Sequence, residues 1–332
     1  HTRLLTQSRG LGDVYKRQAM GVGINDPIRG ADLQTRHLLL ALRAGEPYRI
    51  SRSFALEGAY RAIDGRRGYG AALECVEAAQ ELATRTGNEH ALGLAAFSRG
   101  LADYQVGLWK NAFELFEKSL SVLRGECVGS NYEISQTQRF GIDALFFLGE
   151  LGELSKRVPE YLRVAEDRGD LQASTDMRTG LANVAWLVSD QVDRAKEESV
   201  RAAATWSSLP FYLQHYYEVL ADSQIDLYQG RSAEALQRID VMWPKLRKSH
   251  LMRVQVVRIE AWFLQGRALL ACASEAKASR KKDYLKRLAL ACRMIRKQDM
   301  PSAGGMADIL AAGAAAIGGD QERAVEGFFR AS

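Results

Sequence analysis

The sequence predicts an all-α fold, a solenoid of antiparallel helix pairs that repeats about every 41 residues. Three observations carry that prediction. First, the 332 residues include only 6 prolines, where average usage of about 5% would give roughly 17. Proline is excluded from helix interiors because its ring clashes and it has no N–H to donate. Second, long stretches are rich in Ala, Leu, Glu, Arg and Gln, all good helix formers. Third, turn residues recur in two interleaved ladders. One runs through Gly65, Gly107, Gly149, Asp190 and Gly230, in steps of 42, 42, 41 and 40 residues. The other runs through Gly45, Gly87, Gly129, Gly169 and Pro210, in steps of 42, 42, 40 and 41.

The elements follow from the ladders. A glycine after a helix takes the left-handed conformation that ends it, at no Cβ cost. Asn88 and Asp170 directly follow Gly87 and Gly169, where a side-chain oxygen caps the next helix. Each unit is therefore two antiparallel helices of about eighteen residues, too small to bury its apolar faces without neighbours. The expected pairs are 46–86, 88–128, 130–168, 170–209 and 211–248, followed by a longer pair at 250–299 and a last one at 301–332. The helix over 31–44 reads as the second half of a pair.

The ends are read separately. The chain opens on His1, and Leu11-Gly-Asp-Val-Tyr-Lys-Arg-Gln18 resembles translated adaptor sequence. Residues 1–18 are therefore expected to be an artefactual, disordered tail and 19–30 a linker, with the solenoid over 31–332 and cut at both ends. Removing the net +3 of residues 1–18 leaves only +2 of the chain's +5, which argues against a nucleic-acid partner. The last helix carries Val325, Phe328 and Phe329 with no polar capping helix behind it, so self-association through that end is expected.

Composition excludes other classes. With 47% apolar and 26% charged residues the chain is neither disordered nor collagen-like. The longest apolar run, Ile309 to Ile317, is too short to span a bilayer, and no secretory signal is visible. Cys75, Cys127, Cys272 and Cys292 form no CxxC pair and read as reduced thiols of a cytoplasmic protein.

Within the hairpins, Gly100, turn Gly107, Ala112, Phe116 and Ser119 resemble the tetratricopeptide (TPR) repeat, with Tyr104 one place from the usual aromatic. Gly230, Ala235 and Ile239, with Tyr228 nearby, and then Gly319, Ala324, Phe328 and Ala331, repeat the pattern. The resemblance implies a right-handed superhelix of such pairs. The strings Arg36-His-Leu-Leu-Leu-Ala-Leu-Arg-Ala-Gly-Glu-Pro-Tyr-Arg49, Leu213-Gln-His-Tyr-Tyr217 and Ile225-Asp-Leu-Tyr-Gln-Gly230 look like the C-terminal region of large bacterial serine/threonine protein kinases. Those proteins join a kinase domain, an ATPase module and a TPR array. The resemblance implies a non-catalytic region that contacts other domains of the same polypeptide or a signalling partner. A stand-alone TPR adaptor, or the sensor region of a signalling-ATPase transcription regulator, is the alternative.

Catalytic signatures are missing. The sequence has no HRD, DFG, GxxxxGK[ST] or GxSxG motif, and Gly21-Val-Gly23 does not continue as a phosphate-binding glycine pattern. The five histidines lack metal-ligand spacing. No cofactor, metal or membrane partner is expected.

Two candidate partner-binding surfaces remain. Aligning the turns puts Phe97, Leu101 and Tyr104, and then Tyr217, Leu220 and Gln224, on the inner side of the array. These are mostly apolar, and the Lys/Asn set with which chaperone adaptors clamp a terminal carboxylate is missing there. Residues Lys277 to Lys297 hold nine basic side chains against Asp283, a net +8, with Tyr284, Leu285, Leu288, Cys292 and Ile295 as an apolar stripe. Lys281, Lys282, Lys286 and Arg287 head the second surface, which reads as the outer face of a docked amphipathic helix. The aromatic group Trp206, Phe211, Tyr212, His215, Tyr216 and Tyr217 reads as packing between hairpins.

Overall fold

The structure is a computed structural model and describes residues 14–16, 18, 19, 23, 26–127, 129–206 and 211–331. All elements among the described residues are helical, and no strand occurs. The helices pack in consecutive pairs. Two compact units divide the chain, one up to Met177 and one from Arg178.

In the first unit, α1 spans Pro27–Ala44, α2 Pro47–Ala62, α3 Arg66–Thr86, α4 Glu89–Gln105, α5 Trp109–Glu126, α6 Asn131–Leu148 and α7 Leu151–Asp167. Helix α8, Leu171–Arg178, ends at the boundary. Each expected pair here agrees with the observed one to within a few residues. The sequence start of α1 does not: the helix begins at Pro27, capped by Asp26 whose Oδ1 accepts the Arg29 N–H at 3.1 Å, inside the stretch expected to be a linker. Val14–Lys16 is helical, and Lys16 Nζ reaches the buried Glu133 at 3.4 Å, so this part of the expected disordered tail packs.

The ladders explain the turns. Gly45, Gly65, Gly87, Gly107, Gly129, Gly149, Gly169 and Gly230 all have positive φ, and so does Asp190, at 54°. Pro210 lies outside the described residues. Asn88 Oδ1 accepts the Ala91 N–H, and Asp170 Oδ1 accepts the Ala173 N–H, both at 3.0 Å. Proline obeys its rule at three helix starts, Pro27, Pro47 and Pro301, but Pro159 and Pro244 sit inside helices.

First helices of successive pairs also pack on one another: α2 on α4, and α4 on α6. The pairs close tightly where glycine meets a ring. A Cβ on Gly100 would lie 2.6 Å from Phe116 and 3.3 Å from the Ala112 carbonyl. Ser119 Oγ, on the same face of α5, donates to the Gly93 carbonyl at 2.8 Å. Phe97, Tyr104, Phe116, Phe140 and Phe147 then form a chain of ring contacts across α4, α5 and α6, with Trp109 stacked on Phe147 at 4.4 Å.

In the second unit, α9 spans Val184–Val188, α10 Val192–Ala203, α11 Leu213–Tyr228 and α12 Ser232–Lys248. A 3-10 turn over His250–Arg253 leads to α13, Gln255–Glu275, α14, Ala278–Arg296, α15, Pro301–Ile317, and α16, Gln321–Ala331. Here one expectation fails. The pair 170–209 does not open with one helix of about eighteen residues, because the helix is broken between Arg178 and Val184. Within that break Gly180 has φ 61° and donates its N–H to the Tyr217 carbonyl at 3.1 Å. Asn183 Nδ2 donates to the carbonyls of Arg178 and Ala195, which holds the bend from the other side. First helices again pack on one another, α11 on α13 and α13 on α15.

Candidate interaction surfaces

The inner-side residues of the first unit are core residues. Phe97, Leu101 and Tyr104 are 7%, 8% and 4% exposed. They fill the space between successive hairpins, because an aromatic at that register meets α5 and α6 before it meets solvent. Tyr217 and Leu220 are likewise buried in the second unit. An open apolar groove at these six positions is thus replaced by packed side chains. Gln224 is the polar exception. It is buried, yet its Oε1 accepts from Arg267 Nη1 at 3.3 Å.

What the layer of first helices in the first unit carries instead is polar. Tyr69 Oη and Arg99 Nε both donate to the buried Asp103 Oδ1, at 2.7 and 3.2 Å. Glu133 meets Lys16 Nζ at 3.4 Å and His90 Nε2 at 3.7 Å. Burial alone would raise the Glu133 carboxyl, but the His90 ring and the Lys16 ammonium outweigh it and hold the group at about 2. Asp143 pairs with Arg139 at 3.2 Å. Asp176 shares that region and is pushed up to about 7, first by burial, with Arg139 opposing and Asp143 and Asp170 adding. None of these residues stood out in the sequence, because a lone charge at a helical first-helix position looks solvated until its neighbours are known.

The aromatic group near Tyr212 packs as expected. Tyr216 is fully buried, and Phe211 stacks on His215 with ring centroids 5.7 Å apart. The Tyr212 N–H donates to His215 Nδ1 at 3.0 Å, so a neutral ring carries its proton on Nε2. Beside it a cavity of about 500 Å³ is lined by Phe211, His215, Glu218, Arg238, Met242 and Lys245. Its walls mix both signs of charge, and Arg238 is already bound to Asp222 and Asp226 at 3.2 Å.

Helix α14 has the expected amphipathic form. Leu288, Cys292 and Ile295 are buried, and Tyr284 and Leu285 are half-buried. Lys282 and Lys286 are exposed, Lys281 is half-buried, and Arg287 is tied to Asp240 on α12 at 2.5 Å. The solvent face also holds Lys277, Arg280, Arg293 and Lys297.

Among the described residues no group of three His, Cys, Asp or Glu side chains is placed to hold a metal ion. Burial pushes the Cys75, Cys272 and Cys292 thiols up, away from the reactive thiolate. Among the described residues no helix is long and apolar enough to cross a membrane.

No protein-family model matches this chain, and no curated protein matches it.

Proposed function

We propose that this chain is a non-catalytic protein-interaction and regulatory region of a multidomain bacterial serine/threonine kinase signalling protein. Within each unit we read the helix pairs as TPR-like turns of a right-handed solenoid. The observation that carries the reading is the two interleaved ladders of left-handed turn residues, nine positions in all with each ladder stepping by about 41, and the small residues where paired helices meet. Stacked hairpins of this kind present long surfaces and no enclosed reaction site, which suits binding rather than turnover. The absence of kinase and phosphate-loop motifs in the sequence supports the same division of labour. Partners are other domains of the same polypeptide or a signalling protein, in the cytoplasm, with no cofactor.

Two measurements test the reading. Purified protein with Mg²⁺ and ATP is expected neither to release phosphate nor to transfer it, and either activity overturns the non-enzyme assignment. The genomic reading frame upstream of residue 19 is expected to encode a kinase domain. A DNA-binding domain there would instead favour a signalling-ATPase transcription regulator.

A further inference from the structure

Several arginines of the second unit are neutralised by a carboxylate. Arg178 meets Glu198 at 2.9 Å, Arg231 and Arg238 meet Asp226, Arg287 meets Asp240 and Arg296 meets Asp308. Arg267 differs. It stands in the middle of α13, half-buried, in the apolar run Ala-Trp-Phe-Leu-Gln-Gly-Arg-Ala-Leu-Leu, and it makes no ion pair among the described residues. Its guanidinium lies 5.9 Å from the Phe263 ring centroid and donates once, from Nη1 to Gln224 Oε1 at 3.3 Å. A guanidinium has five N–H donors, so most of its capacity is unspent.

Four acids of α11, α13 and α15 are committed elsewhere. Asp222 and Asp226 on α11 serve Arg238, Glu275 on α13 accepts from Ser232 Oγ at 2.7 Å, and Asp308, the acid of α15, serves Arg296. Helix α15 touches α13 on either side of Arg267, Leu310 at Gly266 and Gly313 at Leu270. Over 311–316 its sequence is Ala-Ala-Gly-Ala-Ala-Ala, which offers neither an acid nor a bulky side chain.

A second group points the same way. Gln224 is 5% exposed, and its Nε2 has no hydrogen-bond partner among the described residues. Because Oε1 is fixed on Arg267, that amide N–H₂ sits beside the guanidinium. Flipping the amide would set donor against donor, so the orientation is determined. A buried amide N–H₂ and a half-buried guanidinium thus lie side by side with no carboxylate paired to either among the described residues, an arrangement that costs stability until an acceptor arrives.

We propose that Arg267 and the Gln224 amide form a carboxylate-binding site on the first-helix layer of the second unit, and that it takes an acidic side chain of a protein partner. A single cation matches a singly charged anion, whereas a phosphate dianion calls for a second cation that the helices flanking Arg267 do not bring to it. Burial lowers the pKa of Arg267, and a bound carboxylate offsets that cost. The protein origin of the carboxylate rests on the interaction role proposed above.

The test uses small probes on the full chain. Sodium acetate is titrated against sodium chloride at constant ionic strength, with Tm and the Nε–Hε resonance of Arg267 as readouts. Acetate is expected to move the resonance and to raise Tm by about 2–4 °C at ten times its Kd, while chloride does neither. Arg267→Met is expected to raise Tm in chloride, because it removes an uncompensated charge, and to abolish the acetate response. Gln224→Leu is expected to weaken the response several-fold. N-acetyl-glutamyl amide, whose only carboxylate is on the side chain, is expected to bind more tightly than N-acetyl-alanine, whose only carboxylate is on the main chain. The proposal is overturned by an equal response to acetate and chloride, by an Arg267→Met variant that keeps the acetate response, by a preference for inorganic phosphate, or by tighter binding of N-acetyl-alanine. These outcomes concern the site alone. The ATP assay and the upstream reading frame judge the interaction reading separately.

Discussion

Single positions show why the turns and contacts admit so few residues. Gly100 is required by contact rather than by φ, since an added Cβ meets Phe116 at 2.6 Å. Gly100→Ala is expected to lose about 1–3 kcal/mol in urea denaturation. Gly70, mid-helix in α3, has nothing within 4 Å of an added Cβ, so Gly70→Ala is expected to gain about 0.5–1 kcal/mol in the same assay. Asp190 holds a left-handed turn without being glycine, and its Oδ1 accepts from Tyr228 Oη at 2.9 Å. Two carboxyls in the first unit give opposite pH dependence. Asp176 is raised from 3.8 to about 7, so the folded chain binds that proton more tightly and stability falls as pH rises from about 4 to 7. Glu133 is lowered from 4.5 to about 2, so its contribution is present above 4.5 and fades as pH falls towards 2. In thermal melts against pH, Asp176→Asn is expected to flatten the loss between 4 and 7. Glu133→Gln is expected to be least stable relative to the parent near neutrality, with the difference shrinking in acid.

Helix α14 separates structural charge from available charge. Arg287 is committed to Asp240, while Lys282 and Lys286 face solvent. Changing Lys281, Lys282 and Lys286 to Glu is expected to abolish binding to an acidic protein partner without unfolding the helix. Arg287→Glu is expected to lower Tm, because it sets like charges against Asp240. Binding through this face is expected to weaken steeply with salt, as the Debye length falls from about 10 Å at 0.1 M to about 3 Å at 1 M. Salt-sensitive binding to duplex DNA that the triple change removes would show that the partner class is nucleic acid. At this scale most helices were legible in the sequence, because most turns of the ladders hold a left-handed residue and some helices, α1, α2 and α4 among them, a capping side chain, both local demands. The break between Arg178 and Val184 was not. It depends on the Tyr217 carbonyl, 37 positions on from Gly180 in the sequence, and on Asn183 reaching Ala195. The same reason hid Arg267, whose distinction is a half-buried place on α13 with Gln224 as its hydrogen-bond partner, and it hid the burial of Phe97, Leu101 and Tyr104.

For the molecule as a whole, α16 turns an apolar face outward: Val325, Phe328 and Phe329 are 53%, 48% and 78% exposed. Sedimentation at rising concentration is expected to show self-association, and changing all three residues to Ser is expected to abolish it. If the changed protein associates as before, another surface is responsible. A further consequence follows from the helix contacts, which join next neighbours or next-but-one neighbours along the chain. Contacts separated by few positions along the chain form early and are lost piecemeal, so folding is fast and cooperativity is confined to short stretches. Heating or denaturant is therefore expected to give a transition broader than that of a two-state domain of the same length, with a midpoint that still shifts with stability. Amide exchange would then fall into blocks one hairpin long, and a destabilising change in one hairpin would leave protection two hairpins away nearly untouched.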